Sequence, residues 1–309
     1  MPDRTTRRAL RDSGAETVRG IALANLCFLL LTLGDVATVL ALPVMGVVGA
    51  MAGRAVVGAS VVAALALGRP DGLRRLRPVR SRLVAFRSTI HALASLTWYV
   101  AWSWSLGLAD SYAVGYAAPL VMVLLAGPML AERVGWRRGL ATGIGFLGML
   151  VMMRPGGDLW RPAAALLLVG VVFMAISRNM TRVLATTETP ECLAFWLLLA
   201  HLPIGLLLLA LGFPSPGISV LAVACVLVLG LTNGVAHWLY SHAGALAPMA
   251  ALAPFEYVGL IWAVVLGYLF FGQTPATLTM GGALLVVAAG LSTVLAEHRR
   301  SRAERAVSA

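Results

Sequence analysis

Lysine does not occur in this sequence, and ionisable side chains are scarce: 12% of the 309 residues are charged, all 24 basic residues are arginine, and five are histidine. So little polar surface excludes a water-soluble globular fold, because 60% of the residues are hydrophobic and the mean hydropathy is +0.87. Close-spaced cysteine pairs are missing as well. Cys27, Cys192 and Cys225 each lie in or beside an apolar run, with no histidine at metal-ligand spacing, so they read as apolar fillers. No metal site, cofactor or catalytic residue is implied. A P-loop, an H-E-x-x-H helix and a soluble or coiled-coil arm are all lacking, which ranks a membrane enzyme or a scaffold low and leaves no direct ATP drive.

What is present is a series of apolar runs, each about 20 residues long, the length that crosses a bilayer. The expected spans are 20–40, 45–67, 86–107, 112–130, 138–153, 163–183, 193–212, 218–241, 249–271 and 276–296. The first reads as a retained signal anchor because its apolar run continues to about residue 40. The arginines then sort by side. They cluster in the tail 1–19, the loop 69–87, "AERVGWRR", "SRNMTR" and the tail 298–309, whereas only Arg154 and Arg161 fall opposite and Arg54 lies within a span. That bias places both termini in the cytoplasm and requires an even number of helices. Topology and attraction to anionic lipid account for the loop arginines, and no nucleic-acid partner is expected.

The two halves resemble each other. "YAAPLVMVLLAGPMLAERVGWRRGLATGIGFLGMLVMMRPG" and "YVGLIWAVVLGYLFFGQTPATLTMGGALLVVAAGLSTV" both run apolar span, acid or amide, polar turn, Gly-rich span. Five helices per half is odd, so repeats over 20–154 and 160–297 would lie in the membrane with opposite orientation. Pro119 and Pro254 fall in corresponding spans, and paired helix breaks of this kind line a mid-membrane site in secondary carriers.

The stretches "SLGLADSYAVGYAAPLVMVLLAGPMLAERVGWRRGLATGIGFLGML" and "HAGALAPMAALAPFEYVGLIWAVVLGYLFFGQTPATLTMGGALLVVAAGL" resemble the drug/metabolite transporter superfamily, in particular its EamA-type members. Glu132 matches the family's turn glutamate and Arg54, in "AGRAVVGA", a basic residue common in the second span; Gln273 departs from the glutamate of the second copy. The resemblance implies an all-α integral membrane carrier of ten transmembrane helices, two inverted five-helix repeats with both ends inside, multi-pass in the cytoplasmic (inner) membrane.

Two helices carry matching stripes. His91, Ser95, Trp98, Trp102 and Ser105 share one face of the third span, with Tyr99 beside it; Asn233, His237, Tyr240, Ser241 and Gly244 share one face of the eighth. Polar faces in hydrocarbon must look into the bundle or a cavity. Trp98, Tyr99, Trp102, Asn233, His237, Tyr240, Glu256 and Tyr257 are therefore the expected cavity lining, whereas Ser95 and Ser105 read as packing between helices. His201 and His242 read as satisfied bundle histidines. Asp35 and Arg54 are intramembrane charges expected to pair across antiparallel neighbours, the other reading being that Arg54 meets a substrate carboxylate. Glu256, beside Pro254, either takes up a proton or holds a substrate cation, or is a protonated acid bonded to freed backbone.

The expected function is alternating-access movement of a small metabolite through the lipid bilayer, driven by a solute or proton gradient and without an obligate protein partner. Export of amino acids or related amphipathic metabolites leads. Import of a cofactor-sized solute, S-adenosylmethionine or flavin-like, is the alternative, because "APFEYVGLIWAVVLGYLFFGQTP" also resembles those members.

Overall fold

A computed structural model describes residues 14–115, 117–130, 162–214, 217–246 and 258–274, with isolated positions in 143–151 and 277–288. The described secondary structure is helical. It comprises α1 (Gly14–Leu67), a short 3-10 turn (Gly72–Leu76), α2 (Ser81–Ser103), α3 (Leu108–Gly115), α4 (Ala117–Leu130), α5 (Pro162–Leu184), α6 (Pro190–Leu199), α7 (His201–Ala210), α8 (Val220–Leu246) and α9 (Val258–Phe271).

The first two expected spans differ from expectation. They form one element, interrupted only where Gly46 takes φ 59° and ψ −177°, and it is already helical at Gly14, the first described residue, inside the expected tail. Pro43 removes a backbone donor just before the break, and glycine accepts the positive φ without a Cβ clash. The Val44 carbonyl accepts instead from the Gly217 N–H at 3.0 Å. Packing on α8 shows the chain reversing there. Ala24 and Cys27 cluster with Leu239, Tyr240 and Ala243. Ala37 and Ala41 cluster with Cys225 and Leu229, so the first arm runs antiparallel to α8. Gly53, Gly58 and Val61 approach Val226, Gly230 and Gly234 in rising order, so the second arm runs parallel to it.

This second contact is closest where both helices are small. A Cβ on Gly234 would lie 2.8 Å from Val61 Cβ and 3.0 Å from the Gly58 carbonyl oxygen. Small residues let membrane helices approach where no hydrophobic effect drives them together. Antiparallel to α5 runs α2, with Thr97 against Gly170 at one level and Arg87 donating to Thr181 Oγ1 at 2.8 Å at another. The seventh expected span appears as α6 and α7, which meet at Ala200.

Among the described residues, four stretches are long and apolar enough to cross a bilayer: Val18–Leu67, Pro162–Leu184, Pro190–Ala210 and Val220–Leu246. Val18–Leu67, at 50 residues, has length for two crossings of a ~30 Å core. Leu207, Leu221, Leu231 and Leu269 point outward and are exposed, as lipid-facing positions require. In contrast, α2 is long enough at 23 residues but more polar, because one face carries Arg87, His91 and Ser95 inward. It starts at Ser81, five residues before the expected 86, so part of the expected loop is helix. The fifth and tenth expected spans lie outside the described residues save for isolated positions, as do residues 249–257 of the ninth.

The arginine loop after α1 is fastened inward rather than left to solvent and lipid. Arg75 pairs with buried Glu191 at 2.9 Å, and Trp238 Nε1 donates to the same carboxylate at 3.2 Å. Glu188 accepts the Val79 and Arg80 N–H groups at 2.9 and 2.8 Å. Arg69 lies 5.7 Å over the Trp238 ring, within cation–π range.

Gly234→Leu should lower stability by about 1–3 kcal/mol, the cost of overpacking a close helix contact. Thermal unfolding of the detergent-purified protein measures it, and an unchanged midpoint would refute the close-approach argument.

Candidate functional site

A cavity of about 110 Å³ opens between α1, α2, α3, α5, α6 and α8. Six of the eight expected lining residues border it: Trp98, Tyr99 and Trp102 from α2, and Asn233, His237 and Tyr240 from α8. Glu256 and Tyr257 lie outside the described residues, and so does Pro254. Pro119 falls within α4, whose described residues run from Ala117.

Arg54 connects the two stripes. Its Nη1 donates to Ser95 Oγ and to Tyr99 OH, both at 3.1 Å, and its Nη2 lies 2.8 Å from His237 Nε2. Guanidinium only donates, so His237 Nε2 accepts, and the imidazole is neutral with its proton on Nδ1. This geometry corrects two expectations. Ser95 faces the cavity rather than serving only as packing, and Asp35 makes no ion pair with Arg54. Asp35 Oδ2 instead accepts from Tyr112 OH at 2.6 Å. Ser105 leaves the stripe altogether, because α2 ends at Ser103 and Ser105 is exposed at φ 62°.

The wall on this side is aromatic. Tyr99 and Trp102 stack with centroids 5.9 Å apart, Trp98 meets Trp102 and Tyr112 edge-on at 5.6 Å each, and Trp102 Nε1 donates to Ser111 Oγ at 2.9 Å. Gly115 makes room for this arrangement, since a Cβ there would lie 2.7 Å from the Trp98 ring. Phe28 and Tyr240 close another side at 6.3 Å.

Several cavity residues were not among those expected. By sequence Arg87 reads as a topological loop cation, but the early start of α2 buries it, 2% exposed, on the cavity. Arg178, which reads likewise, lines the cavity 5.9 Å over the Tyr240 ring. Arg87 falls four residues before His91 and eight before Ser95, on the same helix face, and that spacing was the available signal. His91 also borders the cavity, its ring 5.1 Å from His237 and 6.0 Å from His201. His201 bonds the Leu197 and Leu198 carbonyls through Nδ1, and His242 the Trp238 carbonyl at 3.3 Å.

Comparison with known proteins agrees with this architecture. The EamA-like transporter family matches residues 161–295. A "Riboflavin transporter" of Rhizobium johnstonii is 35% identical over 206 residues, covering 65% of this chain and 68% of the relative. The chain belongs to the EamA-like transporter family. A second "Riboflavin transporter", from Vibrio cholerae, is 30% identical over 210 residues, covering 66% and 70%. A "S-adenosylmethionine uptake transporter" of Rickettsia prowazekii is 23% identical over 226 residues, covering 71% and 76%. The fold itself is that of a solved crystal structure with TM-score 0.70 and 19% identity, covering 93% of this chain and 99% of the other. The protein is thus a membrane transporter of the EamA type within the drug/metabolite transporter superfamily.

Tyr112→Phe removes the donor to Asp35 while keeping the ring in the aromatic wall. Thermal unfolding should show a loss of about 1–3 kcal/mol, the scale for a buried acceptor left unsatisfied. A midpoint equal to wild type would mean that Asp35 does not depend on this bond.

Proposed function

We propose that this transporter takes up a cofactor-sized heteroaromatic solute of the flavin type across the inner membrane, by alternating access of the halves 20–154 and 160–297 around the cavity. The observation that carries the reading is the aromatic wall of Trp98, Tyr99, Trp102 and Tyr112 beside buried hydrogen-bond donors. Ring faces bind planar heterocycles by stacking, and the surrounding polar groups orient them. Relatives bearing the names riboflavin and S-adenosylmethionine transporter support uptake of such a solute over amino-acid export. A small aliphatic amino acid would leave most of this ring surface unused.

Counterflow of labelled riboflavin in proteoliposomes tests the reading. Saturable exchange is expected, and Trp98→Ala should raise the half-saturating concentration roughly tenfold, the scale of one lost stacking partner. Absence of any saturable riboflavin exchange overturns the flavin reading.

Proton coupling is assigned to Glu256, which immediately precedes Tyr257 in the ninth expected span. Exchange measured across a pH series should lose its pH dependence in Glu256→Gln. A pH profile identical to wild type would reduce Glu256 to a structural acid.

A further inference from the structure

Two arginines on the cavity are surrounded by neutral partners. Arg54 is 5% exposed and Arg87 2%. Arg54 donates to two hydroxyls and an imidazole, and Arg87 to the Leu193 carbonyl at 2.7 Å and to Thr181 Oγ1 at 2.8 Å. Each retains a buried Nε–H with no hydrogen-bond partner. Neither is in an ion pair; among the described residues the ion pair is Arg75–Glu191, at the start of α6, two residues before the Leu193 carbonyl that Arg87 bonds. Guanidinium keeps its charge in any environment, and a buried charge without a counter-ion is costly in a low-dielectric bundle. Asp35, the carboxylate that lines the cavity among the described residues, accepts from Tyr112 and makes no ion pair with Arg54, so its charge acts on Arg54 only through space.

We propose that Arg54 and Arg87 form an anion subsite, and that the transported solute is an aromatic heterocycle bearing a phosphate or carboxylate. The two arginines are joined on the cavity lining by Ser177 and Asn233, each 1% exposed and each with an unpartnered polar atom. Phosphate and carboxylate oxygens are pure acceptors and match a cluster of buried donors, with charge-assisted bonds to the arginines. The heterocycle half of this assignment rests on the uptake reading above, whereas the anion subsite rests on the arginines alone.

The test is counterflow of labelled riboflavin in proteoliposomes of the full chain, with unlabelled riboflavin or its 5′-phosphate as competitor. The phosphate ester should compete roughly tenfold or more better, the scale of one charge-assisted hydrogen bond. Arg54→Gln and Arg87→Gln should each draw that ratio towards one. Equal or weaker competition by the ester in the wild type overturns the proposal, as does a preference that survives both substitutions; the wild-type arm decides even if the variants fail to fold.

A wild type that exchanges no flavin removes the uptake reading, and the subsite is then judged by thermal unfolding of the purified protein. Inorganic phosphate or acetate, at ionic strength matched with a large inert anion, should raise the midpoint in a saturable way. No shift overturns the subsite. Stabilisation by inorganic phosphate without preference for the ester assigns the site to a separate small anion and overturns the claim about the solute.

Discussion

Everything around the cavity is arranged about a positive charge buried in an apolar bundle. Arg54 has to place its donors inside the protein, and its two Nη groups reach across to α2 for Ser95 and Tyr99 and to α8 for His237. Those bonds require α2 and α8 to present their polar faces to the same point. The reversal of α1 at Gly46 makes this feasible, because it lays both arms on α8, and the second arm carries Arg54 to the level of its partners.

The close packing of the second α1 arm on α8 serves the same end. Glycines at 58, 230 and 234 let the two helices approach closely. The tyrosine and tryptophan rings fill the adjoining wall, where Trp98 needs the missing Cβ of Gly115. Polar groups and aromatic rings thus lie side by side in one cavity, with Tyr99 belonging to both.

At the end of the bundle where the arginine loop docks, Glu188 and Glu191 hold the residues after α1 against the start of α6. These bonds hold in place the segment through which α1 leads into α2. That connection decides which residues of α2 are buried, and Arg87 is the main consequence: a charge that composition assigns to the interface lies on the cavity.

Membrane class, helical architecture and the two stripes were legible in the sequence. Hydrocarbon penalises unpaired polar groups so strongly that Trp98, Tyr99 and Trp102 on one helix, and Asn233, His237 and Tyr240 on another, had to look inward. Helical spacing alone shows which residues share a face. It does not show which faces meet, so the partner of Arg54 was misassigned to Asp35, and Tyr112, which holds Asp35, carried no periodic signal. Nor does a count of arginines between apolar runs show where a helix begins, so Arg87 and Arg178 read as topology until tertiary packing drew them onto the cavity. Sequence determined that a buried polar face exists; only the tertiary structure decided what it faces, because hydrogen-bond partners across helices depend on helix level and rotation, which local periodicity leaves free.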